Sequence, residues 1–319
     1  MNQRYSRIGK KVNLKDLSIT ICKTYMIGIY KKHQIISVGI DDLSFFLWTD
    51  NGKYIVKTLN TDKTLKHIND YIKKYEIIMQ NNIKAPKLIL NRDRHIFISE
   101  IDGVYLNLCL LEYINGKDLY TLNKKITKED IDKLVNILRN LHSIKSDLEI
   151  EYDEYCFMSL KETFSKCKSV LSDSLTHDIT TFIKKHNKIN FDNLPKCYVH
   201  GDLIQTNIVK DKSNELWLID FDSSGYGYRI LDIVKILSGV IFNYKWPKYS
   251  VKMQEYFLQE YCKCISLTDY ELDCLDILRK ADSYVGLMLL EYHKELNNGA
   301  EETFWIKNDT KILELLSNI

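Results

Sequence analysis

The first 112 residues carry two helical patterns separated by short strand-like runs. Apolar side chains at helical spacing predict one helix over residues 14–29 and a second over Thr64–Gln80, which ends before Pro86. Asp50-Asn51-Gly52 is a turn signal between two antiparallel strands. The pattern predicts a small sheet with one main helix, and its strands are expected at 35–38, 43–49, 53–59, 87–90, 96–100 and 105–113.

From about Lys128 onward the hydrophobic pattern becomes mainly helical. Apolar residues recur at spacings of three and four over 128–142, 159–187 and 253–317. Strand-like pairs, Tyr198-Val199, Ile208-Val209 and Leu216 to Ile219, interrupt these helices. We therefore expect an α+β fold with a sheet-rich lobe at 1–112, a helical lobe at 113–319 and a hinge near Glu112 to Gly116.

Composition and charge limit the class of protein. The chain of 319 residues is 45% hydrophobic and 28% charged, which is ordinary for a folded protein and argues against disorder. Residues 1–112 hold 18 Lys/Arg against 11 Asp/Glu, whereas residues 241–319 hold 9 against 13. These charges are either solvated helix faces or a polyanion-binding N-terminal part and a C-terminal part for a neutral or cationic substrate.

Cysteine spacing and hydropathy suggest a cytoplasmic protein. The eight cysteines form no C-x-x-C pair and have no histidine at ligand spacing, so we expect reduced packing residues. The N-terminus lacks the apolar core of a signal peptide, and no stretch approaches the roughly 18 apolar residues of a membrane span. Neither a membrane nor a nucleic acid is expected as a partner.

The strand-like interruption carries polar residues suited to phosphoryl transfer. It reads His200-Gly201-Asp202, with Asn207 five residues after Asp202, and continues to Asp220-Phe221-Asp222. Phosphoryl transfer needs a carboxylate that accepts the proton of the attacking hydroxyl, together with hard oxygen ligands for a divalent metal. Asp202 suits the first role. Asn207 and Asp220 suit the second, and Asp222 is a candidate second metal ligand.

These residues resemble the signature of a known superfamily. H-G-D-L-x-x-x-N followed by I-D-F-D is similar to the motifs of the aminoglycoside phosphotransferase and choline kinase superfamily, relatives of the protein kinases. The second acidic residue, Asp220, follows Asn207 by thirteen positions, an interval typical of kinases. The resemblance implies a bilobal protein-kinase-like fold, ATP or GTP and Mg²⁺ as cofactors, and a small-molecule hydroxyl as phosphate acceptor.

The resemblance also implies a lysine for the nucleotide phosphates. Tyr54-Ile55-Val56-Lys57 is similar to the strand whose lysine holds the α- and β-phosphates, and Lys57 precedes Asp202 by 145 residues. Its partner is expected to be a carboxylate on the following helix. Glu76 is the preferred candidate, and Asp70 is its competitor.

Two further segments are assigned to the nucleotide by resemblance. The phosphate-covering loop corresponds to residues 38–44, which here contain one glycine and two acids, so only backbone contacts and Ser44 are expected to serve the phosphates. The segment 110–116 resembles the hinge, with the Glu112 carbonyl and the Ile114 N–H at the nucleotide base. A strand that ends in an Asn-Gly turn is the alternative for the hinge segment.

Three other residues are expected to support the site. His200 orients the loop by hydrogen bonding, since Asp202 already fills the position of the base and imidazole binds magnesium poorly. Asp232 is similar to a family aspartate that braces the catalytic loop. His142 matches a structural helix end and is expected to pack.

Several functions compete within this fold. A protein kinase is disfavoured, because no A-P-E follows Asp220 and Asp232 comes only twelve residues later, which leaves no room for an activation segment. A non-catalytic relative, such as a spore-coat protein, is disfavoured because Lys57, Asp202, Asn207 and Asp220 are all present. An aminoglycoside, and with it antibiotic resistance, is the favoured prediction, and the chain is expected to be a monomer or homodimer.

The choice of acceptor depends on the C-terminal part. Its acidic residues offer carboxylates to the ammonium groups of an aminoglycoside, but they also suit an exposed helix face. A choline-type acceptor requires an aromatic cage, and homoserine and sugars are further alternatives. The candidate aromatic residues are Trp246, Tyr249, Tyr256, Tyr284 and Trp305.

Overall fold

The computed structural model describes residues 13–36, 43–59, 65–91, 97–101, 104–152, 154–297 and 303–317. Within them the chain forms antiparallel strands and many helices, and the predicted α+β class is confirmed. The chain divides into two compact units, Met1–Gly116 and Lys117–Ile319, here named the N-terminal and C-terminal units. None of the helices in these ranges is long and apolar enough to cross a membrane.

The N-terminal unit contains one antiparallel sheet and two described helices. The sheet has the order β1-β2-β3-β6-β4, and β5 pairs with β6. Its elements are α1 (Leu14–Tyr25), β1 (Tyr30–Ile35), β2 (Ser44–Thr49), β3 (Lys53–Leu59), α2 (Leu65–Gln80), β4 (Leu88–Ile89), β5 (Phe97–Ile101) and β6 (Val104–Glu112). The first helix is shorter than expected because Met26 takes a left-handed conformation at its C-terminus.

The two faces of this sheet have different neighbours. On one face, α1 packs Leu17 and Ile21 against Phe45, Leu47 and Val56, all of which are buried. Because side chains alternate along a strand, the residues between these positions lie on the other face. Cross-strand pairing puts Ser44 opposite Lys57 and Phe46 opposite Ile55 on this second face. Helix α2 covers part of it, since Tyr71 receives a hydrogen bond from the thiol of Cys109.

The C-terminal unit is mainly helical. Its strands form a three-stranded sheet in the order β10-β9-β7 and a two-stranded sheet of β8 and β11. The strands are β7 (Gly116–Asp118), β8 (Lys196–Val199), β9 (Ile208–Asp211), β10 (Leu216–Leu218) and β11 (Gly225–Tyr228). The helices are α3 (Leu119–Leu122), α4 (Lys128–His142), α5 (Leu160–Cys167), α6 (Asp173–His186), α7 (Ile230–Lys235), α8 (Pro247–Cys264), α9 (Asp269–Asn297) and α10 (Thr303–Leu315).

Local sequence explains where the main helices begin. Thr127 and Asp130 form a capping box at the start of α4, and Pro247 occupies the first turn of α8, where its missing N–H is tolerated. The α7 helix continues directly into a π-helix, Ile236–Ile241. Two loops of the C-terminal unit carry the polar motif: residues 200–207 connect β8 to β9, and residues 219–224 connect β10 to β11.

Candidate functional site

Asp232 holds the loop that carries the polar motif. Its side chain is fully buried, and its two carboxylate oxygens accept hydrogen bonds from the backbone N–H groups of His200 and Gly201, both at 2.9 Å. His142 donates from Nε2 to the same carboxylate at 3.1 Å, and its Nδ1 lies 2.7 Å from the hydroxyl of Tyr261. Because each buried polar atom here has a partner, the loop is fixed to α4, α7 and α8.

His200 links the two loops of the motif. Its Nε2 lies 3.1 Å from the carbonyl oxygen of Ile219, and its Nδ1 accepts the backbone N–H of Asp202 at 3.3 Å. This pattern requires a neutral ring with the proton on Nε2. Burial lowers the pKa of His200, and the charge of Asp232 opposes that shift only in part. The geometry fits an orienting side chain.

Gly201 is required by the backbone at this turn. Its φ is +87°, and a side chain at this position would collide with the carbonyl oxygen of Ser223 in the neighbouring loop. A residue with a Cβ carries a steric penalty in this conformation. The glycine therefore allows the two loops to approach closely.

Asp202 and Asn207 are brought together by the loop. The Nδ2 of Asn207 donates to Oδ2 of Asp202 at 2.8 Å and to its carbonyl oxygen at 2.9 Å. The carbonyl oxygen of Asn207 in turn accepts the N–H of Ile219, which joins this loop to the end of β10. Asn207 is buried and Asp202 is half-buried, so the Asp202 carboxylate is both held and accessible.

The second loop presents Asp220 in an unusual conformation. Its φ is +66°, a left-handed value that costs conformational energy for a residue with a side chain. Asp220 is exposed, whereas Phe221 is fully buried and packs its ring 4.8 Å from that of His200. Asp222 is half-buried. The buried phenylalanine fixes the loop, and the acidic residues flank it.

These residues have the donor types that Mg²⁺ prefers. Both protons of the Asn207 amide nitrogen point to Asp202, so Oδ1 is the atom that Asn207 offers to a cation. No group of three or more His, Cys, Asp or Glu suited to a metal occurs in the described part of the chain. Mg²⁺ commonly takes only one or two protein oxygens and completes its shell with phosphate and water. Asn207 and Asp220 fit this pattern.

In the N-terminal unit, the structure brings Ser44 and Lys57 together. They are cross-strand partners on β2 and β3 and lie on the same face of the sheet. Lys57 is buried, and its ammonium lies 5.9 Å from the ring centroid of Tyr71 on α2. Residues 38–42 of the expected phosphate-covering loop lie outside the described residues.

The structure does not bring Glu76 to Lys57. Glu76 is exposed, and neither it nor Asp70 forms an ion pair with any residue that the structure describes. The buried face of α2 consists of Ile68, Tyr71, Lys74, Tyr75 and Ile78. At 100° per residue, position 76 lies about 140° around the helix from position 71, and so it points away from this face. The expected pairing is not supported.

The hinge residues follow β6. Ile114 is buried, and its N–H donates no hydrogen bond to any described residue, whereas its carbonyl oxygen accepts the N–H of Gly116 at 2.8 Å. Glu112 ends β6, and its N–H donates to the carbonyl oxygen of Lys87. The Ile114 N–H is thus available to a ligand.

A buried charge cluster was not foreseen from the sequence. Lys235 contacts Asp282 on α9 at 2.8 Å and donates to the carbonyl oxygen of Tyr155 at 3.1 Å. Burial acts to lower the pKa of Lys235, but the negative charges of Asp282 and Asp202 outweigh this effect. The pKa of Lys235 is therefore raised. On α10, burial followed by the charge of Asp282 raises the pKa of Asp309 well above its usual range.

The charge of Asp202 contributes to the raised pKa of Lys235, the one member of the cluster that it is shown to affect. Lys235 follows Asp232 by one helical turn, and this spacing was the only available signal in the sequence. The partners on α9 and α10 come from distant parts of the chain, so no local pattern predicts their meeting. Asp282, Asp309 and Lys235 therefore extend the candidate site beyond the predicted motif.

Comparison with known proteins shows the family and the fold. The model of the family described as "Phosphotransferase enzyme family" matches residues 32–273. A homoserine kinase from Bartonella tribocorum is 21% identical over 306 residues, which cover 93% of this chain and 91% of the relative.

Solved structures of kinases share the fold. An amicoumacin kinase in complex with AMP-PNP, Ca²⁺ and amicoumacin has a TM-score of 0.70 at 14% identity and covers 99% of this chain and 96% of its own. The choline kinase LicA from Streptococcus pneumoniae has a TM-score of 0.61 at 16% identity, with coverages of 96% and 99%. The superfamily and the protein-kinase-like fold expected from the motifs are confirmed. The chain belongs to the phosphotransferase enzyme family and is a small-molecule kinase.

Proposed function

We propose that this kinase transfers the γ-phosphoryl group of Mg·ATP to a hydroxyl of an amine-bearing small molecule, with an aminoglycoside antibiotic as the favoured acceptor. The observation that carries the proposal is the Asp202 carboxylate, which is held by Asn207 at 2.8 Å on a loop braced by Asp232. A carboxylate fixed in this way is suited to orient the acceptor hydroxyl and to accept its proton.

The reaction assigns separate tasks to the residues. Asp202 accepts the proton of the acceptor hydroxyl while the hydroxyl oxygen bonds to the γ-phosphorus of ATP. The bond between the γ-phosphorus and the bridging oxygen of the β-phosphate breaks, and ADP is released. Asn207 and Asp220 would hold Mg²⁺, with Asp222 as a second carboxylate, and a bound ion would supply positive charge against the phosphates. In the N-terminal unit, Lys57 and Ser44 serve the phosphates, and the Glu112 carbonyl and Ile114 N–H serve the base.

The charge cluster supports an amine on the acceptor. The charge of Asp282 raises the pKa of Asp309, and Lys235, which contacts Asp282, compensates only one negative charge. An ammonium group that enters this region would stabilise the charged form of Asp309. The names of two solved relatives, the amicoumacin kinase and a spectinomycin phosphotransferase, show antibiotics as acceptors within this fold.

An amino alcohol of metabolite size is the second candidate. It is favoured by the homoserine kinase, whose similarity extends over 93% of this chain. A choline cage receives less support, because the expected aromatic rings have other neighbours. Lys125 lies near Trp246 and Tyr249, Lys128 lies 4.4 Å from the ring of Tyr256, and Trp305 stacks on Tyr120.

A panel of acceptors tests the proposal. Aminoglycosides, spectinomycin, homoserine, choline, methylthioribose and simple sugars would each be scored by acceptor-dependent ADP release, with Mg·ATP and with Mg·GTP. An amine-bearing acceptor should be the best substrate, and Asp282→Asn should raise its KM about tenfold or more while KM for ATP stays unchanged. A neutral sugar as the best acceptor, or an unchanged acceptor KM in Asp282→Asn, would contradict the assigned acceptor class.

A further inference from the structure

A basic cavity lies in the C-terminal unit apart from the charge cluster. It has a volume of about 610 Å³ and is formed by α6, α9 and α10. This volume lies within the range of small-molecule sites, roughly 300–1,000 Å³. Its basic lining residues are His177, Lys184, Lys185, Lys188 and Lys280, and its acidic lining residue among those described is Asp178.

The lysines of this cavity outnumber its acidic residues among those that the structure describes. None of the four forms an ion pair with a carboxylate within the ranges that the structure describes. Burial, and then the charge of Lys185, lower the pKa of Lys280, whereas Asp178 opposes this shift. Two neighbouring ammonium groups therefore repel each other at a partly apolar wall, and a bound anion would relieve that repulsion.

Lys280 is buried, unlike the other three lysines of the cavity. It is 9% exposed, its ammonium donates to the carbonyl oxygen of Leu316 at 3.3 Å, and it lies 5.6 Å from the ring centroid of Phe182. Lys184 and Lys185 lie in the last turn of α6, where positive charges interact favourably with the helix dipole. The dipole does not explain Lys280, which comes from the interior of α9, or Lys188, which lies beyond the end of α6.

The cavity and the charge cluster use different sides of α9. Lys280 lines the cavity, and Asp282 contacts Lys235. Two residues along an α-helix are separated by about 200°, so these side chains leave the helix in nearly opposite directions. A ligand in the cavity would therefore lie on a different side of α9 from an acceptor bound at Asp282, where the proposed function puts it.

We propose that this cavity is a second binding site, which takes a small molecule carrying a phosphate ester or a diphosphate. Several ammonium groups around one concave space match the oxygens of a di- or trianionic phosphate, each as a charge-assisted hydrogen-bond donor. Phe182 and Tyr284, whose rings pack at 5.2 Å, offer an aromatic wall to the remainder of the ligand.

Pyrophosphate is the probe for this site. Its affinity for the full chain would be measured by titration calorimetry with a metal chelator present, in the wild type, in Lys185→Gln/Lys188→Gln, in Lys252→Gln and in Lys57→Met. Lys185, Lys188 and Lys252 are all exposed, so the first two variants should fold. The double variant is expected to bind about tenfold or more weakly, and Lys252→Gln should bind as the wild type does. Lys57→Met removes the proposed phosphate lysine of the nucleotide site and so reports any pyrophosphate that binds there instead.

A second readout locates the ligand without any substitution. Pyrophosphate should slow the reductive methylation of Lys185 and Lys188 in the wild type, as followed by mass spectrometry, and should leave Lys252 unaffected. The proposal is overturned if affinity is equal in the double variant and in Lys252→Gln, or if it is lost only in Lys57→Met. The proposal is also overturned if no binding is detected at about 10 mM pyrophosphate.

Discussion

The side-chain amide of Asn207 donates to the Asp202 carboxylate at 2.8 Å and to the Asp202 carbonyl oxygen at 2.9 Å. One asparagine thus fixes the proposed base and keeps its own Oδ1 as the atom that it offers to the proposed metal. The two functions proposed for the loop, proton acceptance and metal binding, would be coupled through this side chain.

Substitution of Asn207 should affect both functions. In Asn207→Ala, kcat is expected to fall at least about 100-fold, and the Mg²⁺ concentration for half-maximal activity should rise about 10- to 100-fold. Steady-state kinetics over a magnesium series measures both quantities. Thr206→Ala, one residue away, is the matched control and should stay close to wild type. An Asn207→Ala enzyme with normal magnesium dependence would argue against Asn207 as a ligand.

Asp232 should be needed for stability as well as for activity. In Asp232→Asn, one carboxylate oxygen becomes an N–H₂ group that faces the donors from His200, Gly201 or His142. Breaking this buried network is expected to lower the free energy of unfolding by about 3 kcal/mol, as measured by urea denaturation. Asp273→Asn on the exposed side of α9 is the control and should change stability little. Equal stability of the two variants would show that the network contributes nothing.

The stability of the chain should fall in mild acid. Burial lowers the pKa of His186, so the unfolded state binds the proton first and the free energy of unfolding decreases as pH falls below about 6.5. His186 packs between the rings of Phe182 and Phe191, and His186→Phe should fit this space. That variant should lose less stability between pH 7.5 and 5.5 than the wild type and the exposed control His177→Gln. An identical pH dependence in all three would contradict this role for His186.

Lys57 should be needed for nucleotide affinity. Lys57→Met is expected to weaken Mg·ATP binding about tenfold or more in calorimetry, because a charge-assisted contact to phosphate is lost. Lys73→Met, which alters an exposed lysine on α2, should leave the affinity unchanged. If both variants bind Mg·ATP equally well, Lys57 is not the phosphate lysine.

The sequence was most informative where function requires a continuous motif. The segments around Asp202 and Asp220 combine apolar pairs that form strands with polar residues that follow them, and the structure places both in neighbouring loops. Asp232 was expected to brace the first loop, and its hydrogen bonds to His200 and Gly201 form such a brace. The chemical roles of these residues stay predictions.

Contacts between segments that are distant in the chain could not be predicted from the sequence. Asp282 contacts Lys235, and Asp309 comes under the influence of both charges, only because α9 and α10 pack in this unit. No periodicity in the sequence predicts that packing. Glu76 was chosen for its charge, but its position around α2 puts it on the exposed side. His142 was expected only to pack, and its hydrogen bonds to Asp232 and Tyr261 depend on partners at least 90 residues away.

Asp202 is proposed to act on the acceptor hydroxyl and not on the nucleotide. The most direct test compares acceptor-dependent ADP release and Mg·ATP affinity in Asp202→Ala, with Asp202→Asn as the variant that preserves shape. Both variants should lose phosphoryl transfer by about 1,000-fold or more and keep Mg·ATP affinity within about threefold of wild type. Wild-type activity in either variant, or loss of nucleotide affinity together with activity, would contradict it.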